Sequence, residues 1–500
     1  MANLFRGFLS FVTGIIIARN LGPEQYGNFS FLLGTFIAVR QLLDMGTSSA
    51  FYTFIAKKKQ PGLYIVSYFA WQAMQFVLVV GVIILILPRE WFETLWGGHE
   101  KQIVITAFTA VFMQQQVWQT VLMIAESRRL TYVAQLLNLG ISAGHLMLVS
   151  ALVISGEITI EILFYLIVGE YLAGMIIAYK LLGGTGDKDK IEFDFKKMLS
   201  EYLVYCTPLV IYMSLGFLYE FADKWLLQNF GGAVQQGFYG ISYQFASVSL
   251  IATMSMLKIF WKEMAEAKQN ENLERMKSLY RKTSRFLFFI GGFISGLLIP
   301  WSGEIVKLTL GAPFIAGTTA LAIMFLYPLH QSMGQIGGTM LLATGQTKAQ
   351  TMLGVIFMSL SMPATYFVLA PNDSIVPGLG MGANGMAIKM VVMNILNVNL
   401  IAWWISKYFK WDFDWFHQFY ITFMVLAVGY FAYYVANGIV GVESYLILRV
   451  AISIIVYSLF IGIITWKNPA SIGFAKEEIR IMFFNIFSKI NKPGRDVVQI

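Results

Sequence analysis

Leu21-Gly22-Pro23-Glu24-Gln25-Tyr26-Gly27 joins two apolar runs near the start of the chain, and Phe230-Gly231-Gly232 through Gly237 joins two more at an offset of 210 residues. A glycine-rich turn between long hydrophobic stretches, met twice, indicates one helical plan used twice. The correspondence extends outward from this pair. Pro88 matches Pro300 at offset 212, Leu95-Trp96-Gly97 matches Thr309-Leu310-Gly311 at 214, and Ala125-Glu126-Ser127-Arg128 matches Ala343-Thr344-Gly345-Gln346 at 218. The offsets only grow along the chain, as they should for one duplicated six-helix unit with longer loops in its second copy. Repeats related by an axis along the membrane normal are a transporter plan, with the substrate site near the midplane between lobes.

Composition names the solvent. Of the 500 residues, 57% are hydrophobic and 13% are charged, with a mean hydropathy of +0.64. A soluble domain carries charge on about a quarter of its residues, so lipid is expected around this chain. A spanning helix needs about 20 mostly apolar residues, and such segments recur from end to end. The sequence therefore predicts an all-α integral membrane protein of about fourteen transmembrane helices. They divide into an N-terminal six-helix lobe over 1–183, a pseudo-symmetric C-terminal six-helix lobe over 197–408, two additional transmembrane helices over 409–465, and a tail over 466–500. Met1 to Arg19 runs into Asn20-Leu21-Gly22-Pro23 without a small-residue cleavage site and reads as a retained helix.

The net charge of +8 could suggest nucleic acid, but the placement of the basic residues argues otherwise. The even-numbered connections and the tail hold 27 of the 36 Lys and Arg residues, and the odd-numbered connections hold 7. Basic residues mark cytoplasmic loops, so both termini are expected in the cytoplasm, in a multi-pass protein of the cell membrane. In the tail, Lys476, Arg480, Lys489 and Arg495 among Ile and Phe read as a basic amphipathic helix on the cytoplasmic leaflet.

Several chemistries are excluded. Cys206 is the single cysteine and the four histidines are scattered, so no metal site is expected. Gly380-Met381-Gly382-Ala383-Asn384-Gly385 has the spacing of a dinucleotide turn but lies in a loop between spans with no strand before it. Gly140-Ile141-Ser142-Ala143-Gly144 has the spacing of a nucleophile elbow but sits inside a span, where close helix packing through the two glycines accounts for it better. No phosphate-binding GxxxxGK[ST] loop occurs. The external connections are too short for the catalytic domain of a membrane glycosyltransferase or polymerase, so no enzyme activity and no cofactor are expected.

Certain motifs resemble a known family. Ala18-Arg19-Asn20-Leu21-Gly22-Pro23-Glu24-Gln25-Tyr26-Gly27, Asp44-Met45-Gly46, Ala222-Asp223-Lys224 leading to Gly237-Phe238-Tyr239, Leu308 to Phe314, and Leu342 to Lys348 are similar to the polysaccharide or oligosaccharide flippases of Wzx type. That family belongs to the MOP superfamily, with the lipid II flippase and the MATE drug exporters. The resemblance covers residues 1 to about 406. It implies movement of a sugar on a polyprenyl pyrophosphate carrier from the cytoplasmic to the outer leaflet. Expected partners are the lipid-linked oligosaccharide and membrane lipids, with polysaccharide polymerase and glycosyltransferases alongside.

Ionisable groups inside spans cost on the order of 3 kcal/mol each on insertion scales, so each needs a partner or a wet cavity. Arg40 and Asp44 are one turn apart in the second span. A guanidinium there could take pyrophosphate through its planar fork of donors, or the two residues could form an internal salt bridge. Lys224 is a second candidate for pyrophosphate, and Arg19, at a span end, is a third unless it only reaches headgroups. Glu220 and Asp223 crowd like charges on one helix and, with Asp44 and Glu170, are candidates for coupling to H+ or Na+. A structural ion-pair cluster is the competing reading. Gln115 and Gln119 in the fourth span match the tenth, which carries His330, Gln331 and Gln335. With the Tyr212 and Tyr219 stripe these are candidate sugar-facing groups, although such a stripe by itself is more often packing.

The expected function is a flippase working by alternating access, driven by membrane potential, by H+ or Na+ antiport, or by both. A MATE-like multidrug or cation antiporter is the alternative. That alternative calls for a cavity dominated by carboxylates, whereas Arg40 and Lys224 suit an anion.

Overall fold

The computed structural model describes residues 2–58, 60–182, 193–441, 445–474 and 477–478. The amphipathic helix expected in the tail lies almost wholly outside these residues. Among them every regular element is helical. The first half runs α1 (Ala2–Asp44), α2 (Thr47–Lys57), α3 (Gly62–Gly81), α4 (Arg89–Leu95), α5 (Lys101–Phe112), α6 (Trp118–Ser127), α7 (Thr131–Ser155) and α8 (Ile160–Leu181). The second half continues with α9 (Phe195–Leu226), α10 (Gly232–Gln269), α11 (Leu273–Leu298), α12 (Ser302–Thr309), α13 (Thr318–Met324) and α14 (Tyr327–Ala343). It ends with α15 (Thr347–Leu369), α16 (Gly382–Phe409), α17 (Trp415–Val440) and α18 (Leu446–Lys467).

Ten helical stretches among the described residues are long and apolar enough to cross a membrane, or eleven if α14 and the bent segment before it form one span. The chain is a multi-pass membrane protein. Its exposed side chains include Leu85, Phe423 and Ile447, as a lipid-facing surface requires. The expected count of about fourteen is not fixed, for a local reason. The stretch Leu4–Asp44 and the stretch Phe195–Leu250 each run through two expected spans without a loop. The fourth expected span is interrupted by a π-turn, Met113–Val117, between α5 and α6.

Each of the two long stretches turns at one residue. Gly22 has φ 74° and ψ 171°, and Gly232 has φ 78° and ψ 175°, a region open essentially to glycine alone. The two glycines are the pair that opened the sequence repeat. Beyond them the chain crosses itself reciprocally. A Cβ on Gly27 would lie 1.7 Å from the Ala233 carbonyl oxygen, and one on Gly237 would lie 2.1 Å from that of Pro23. Residues 23 and 27 thus meet 233 and 237 as equivalent surfaces meet across a two-fold axis.

The chain forms two compact units: residues 1–248, 305–321 and 354–390, and residues 249–304, 322–353 and 391–500. In the first unit the core gathers Phe51, Tyr64, Tyr68 and Tyr202, with a second cluster around Trp118, Leu122 and Ala178. In the second unit one cluster holds Met264, Met276, Met340 and Ile405, and another holds Phe288, Leu329, Val425 and Tyr457. One close helix crossing there runs through glycines: a Cβ on Gly429 of α17 would lie 1.9 Å from the Gly296 carbonyl oxygen of α11. Gly140 and Gly144 do not play that part. A Cβ on either would meet nothing within 4 Å, which corrects the expectation of close packing at the GxSxG stretch. Gly380 and Gly382 adopt positive φ to turn the chain into α16, whose Ala383 N–H donates to Gln235 Oε1 at 2.9 Å.

Candidate functional site

In the first unit α9 lies along the second half of α1. Tyr212, Gly216, Tyr219, Glu220 and Asp223 recur at helical spacing and form one stripe of α9. Glycines make room for the polar side chains. Gly216 leaves space for the Gln41 amide, whose oxygen would sit 2.6 Å from a Cβ there, and Gly34 leaves space for the Lys224 stem, at 3.0 Å. Glu220 faces Gln41 and feels the charges of Lys224, Asp223 and Arg40.

Arg40 and Asp44 do not form the salt bridge that was one reading of their spacing. Asp44 turns to the next helix. It accepts from the Ser48 backbone N–H at 2.9 Å, the Ser48 hydroxyl at 2.8 Å and the Thr47 hydroxyl at 3.3 Å, so its carboxylate fixes the start of α2. Arg40 is left half-buried, with its Nε shielded from solvent and without a hydrogen bond. Lys224 is seated over two aromatic faces, 5.2 Å from the Tyr239 ring centre and 5.8 Å from that of Tyr243.

Asp223 has a partner that sequence reading missed. Lys389 of α16 donates to both carboxylate oxygens, at 2.7 and 2.8 Å, and the Thr365 hydroxyl of α15 donates at 2.6 Å. The two charged side chains are 1% and 8% exposed, so the pair is fully desolvated. The Lys389 ammonium also lies 4.8 Å from the centre of the Tyr219 ring. A lone lysine inside the apolar run Ala387-Ile388-Lys389-Met390-Val391 is the signal that could have flagged it.

The remaining candidates are placed separately. Arg19 is exposed and donates to the Leu308 carbonyl at 2.8 Å, away from this cluster. Gln115 donates to Gln114 at 3.2 Å within the π-turn, and Gln119 is half-buried on α6. Tyr212 packs over Gly354, where a Cβ would be 3.0 Å from its ring. Glu170 of α8 is not isolated: His145 of α7 faces it at 2.9 Å. His330, Gln331 and Gln335 belong to the second unit. His330 is buried and bonded to Gln418 at 3.0 Å, Gln335 accepts from Thr253 at 2.8 Å, and Gln331 is half-buried. No group of three or more metal-ligating side chains occurs among the described residues.

Residues 1–260, just over half of the chain, match the family described as polysaccharide biosynthesis protein. The chain belongs to this family. Comparison with curated proteins finds no match. Among solved structures, the lipid II flippase MurJ in an inward closed conformation superposes with a TM-score of 0.69 at 13% identity, covering 93% of this chain and 98% of that one. An inward-facing multidrug resistance MATE transporter gives 0.62 at 15% identity, covering 82% and 95%. A MOP superfamily transporter from Pyrococcus furiosus, described as having a binding pocket of reverse polarity, gives 0.53 at 15% over 82% and 94%. At these identities the likeness establishes the fold, which is that of MOP superfamily transporters. These neighbours are described as a flippase and as transporters.

Proposed function

We propose that this family member moves a polyprenyl-pyrophosphate-linked oligosaccharide from the cytoplasmic to the outer leaflet by alternating access. Both termini and the basic loops are in the cytoplasm, as the distribution of Lys and Arg argues. The observation that carries the reading is Arg40, a guanidinium inside a span whose neighbouring carboxylate is engaged elsewhere. A cation inside a span that makes no salt bridge among the described residues is suited to an anionic substrate, and the guanidinium fork matches phosphate oxygens. Lys224, seated on two tyrosine faces, is the second cation for pyrophosphate. Tyr212, Tyr219 and the glutamines of the π-turn offer the flat faces and amides that sugars use.

An inside-negative potential drives outward movement of each uncompensated negative charge by about 2.3 kcal/mol per 100 mV. A coupled ion adds to this. Asp223 is committed to Lys389 and Asp44 to α2, so Glu220 and Glu170 are the acidic groups left for H+ or Na+ coupling. The test is reconstitution of the full chain in proteoliposomes with a fluorescent polyprenyl-pyrophosphate oligosaccharide on one leaflet. Its appearance on the other leaflet supports the reading. Transport of an organic cation instead, with no movement of the lipid, would replace it with MATE-like export.

A further inference from the structure

In the first unit α7 and α8 bring two titratable side chains together at the middle of their apolar lengths. His145 Nδ1 lies 2.9 and 3.1 Å from the two carboxylate oxygens of Glu170, and the side chains are 21% and 9% exposed. We propose that His145 and Glu170 form the site that binds the coupling proton. This rests on the reading of the chain as a coupled transporter and names the ion and its residues.

Imidazole is the side chain that ordinarily changes charge near neutral pH, and Glu170 sets a carboxylate directly against it. With one proton the dyad is neutral overall, as imidazolium with carboxylate or as imidazole with carboxylic acid. Releasing that proton leaves imidazole with carboxylate, a net charge of −1 within a span. The charged form is the one that lipid disfavours, so uptake and release change how well this part of the protein tolerates its surroundings. Ionisable groups near the dyad include Tyr171, next to Glu170 on α8, and Arg6 of α1, whose charge reaches Tyr171. The turn before α6 brings Gln114, an uncharged amide.

Two separate sets of hydrogen bonds leave the π-turn Met113–Val117, one toward Tyr171 beside the dyad and one toward α1. Gln114 donates to the Tyr171 hydroxyl at 3.1 Å, and Gln115 donates to Gln114 at 3.2 Å. From the same π-turn Gln116 donates to Gln75 at 3.4 Å, and Gln75 donates to the Leu43 carbonyl of α1 at 2.6 Å. Leu43 adjoins Asp44 and lies one turn from Arg40. A π-turn carries an extra residue in the helical ladder and can shift register locally. The π-turn therefore lies between the proposed proton site and the proposed phosphate site.

Two measurements on the full chain test this. The first is a pH titration of ring-labelled histidines in lipid nanodiscs, with the four histidines assigned by single His→Gln changes. The pH response of the His145 ring signals is expected to differ between Glu170→Gln and the parent. An unchanged His145 titration overturns the dyad whatever the protein transports. The second compares flux of the lipid-linked oligosaccharide driven by a pH gradient with flux driven by potential alone. The ratio of the two is expected to fall at least tenfold in Glu170→Gln and in His145→Gln, the second variant guarding against misfolding of the first. An unchanged ratio in a folded variant makes the pair structural. Absence of lipid movement in the unaltered protein would sink the flippase reading, while the titration would still decide the dyad.

Discussion

Replacing Lys389 by methionine should be among the most damaging single changes in the first unit. At 2.7 Å the ammonium and the Asp223 carboxylate attract by about 6 kcal/mol at an effective dielectric constant of about 20. Much of this is offset by the desolvation of two groups that are 1% and 8% exposed. Lys389→Met removes the attraction and leaves the desolvated carboxylate, which retains the Thr365 hydroxyl as a partner. Breaking a buried pair from one side costs about 3–5 kcal/mol. The double change Asp223→Leu with Lys389→Met removes both charges, and folding should return to within about 1 kcal/mol of the parent, since apolar pairs often replace buried ion pairs without loss. The assay is the fraction of protein remaining monodisperse after heating in detergent, for the parent, both single variants and the double. Lys389→Met as stable as the parent, or a double variant no better than the single, would refute the argument that desolvation governs this pair.

The other perturbations are simpler. Gly22→Ala and Gly232→Ala should each cost about 1–3 kcal/mol, because both residues hold a conformation nearly closed to side chains while a Cβ would meet no atom within 4 Å. Equal stability of both variants to the parent would contradict the hinge assignment. Cysteines at Gly98, Gly156 and Asn372 should react with an impermeant thiol reagent from outside and those at Lys58 and Asn270 should not; the reverse pattern inverts the orientation. His99, in the connection between α4 and α5, is pushed down from its ordinary 6.5 by burial, partly opposed by Glu161. The folded state therefore binds fewer protons than the unfolded one, and its contribution to stability is present above that ordinary value and lost as pH falls below it. His99→Gln should reduce the loss of thermal stability between neutral pH and about pH 5, and an identical loss in both proteins would remove His99 as the cause.

Much of the fold was legible because its devices are local. Gly22 and Gly232 mark the turning points through a backbone conformation that almost no other residue adopts, so a one-dimensional offset carried structural information. The number of spans was less legible, since each of those turns takes a single non-helical residue and leaves no loop between two spans, and the π-turn at Met113–Val117 interrupts another span. In the site, residue type pointed to the second span and to α9, but pairing did not follow from proximity in sequence. Asp44 is four residues from Arg40 and bonds to Ser48 instead, because a helix start offers unsatisfied N–H groups that a nearby carboxylate meets without further desolvation. Asp223 finds its cation 166 residues away, and Glu170 finds His145 on the adjacent helix. Those partners are set by packing between helices, which intrahelical spacing does not encode. The glutamines of the π-turn behave likewise: Gln114 bonds to Tyr171 of α8 and Gln116 to Gln75 of α3, partners that their order in the sequence does not reveal.

The central claim is that Arg40 receives the pyrophosphate, and leaflet-to-leaflet movement of a fluorescent polyprenyl-pyrophosphate oligosaccharide in proteoliposomes, normalised to folded protein, tests it most directly. A hydrogen bond to a charged group is worth about 1.5–3 kcal/mol, so loss of the guanidinium should slow movement at least tenfold. The account predicts that Arg40→Ala folds, because Arg40 makes no salt bridge among the described residues and Asp44 keeps its Thr47 and Ser48 partners, and is nearly inactive. Arg40→Lys should recover only part of the rate, because a point charge does not reproduce a two-pronged contact. Undiminished movement by Arg40→Ala would contradict the account and remove Arg40 from the substrate's path.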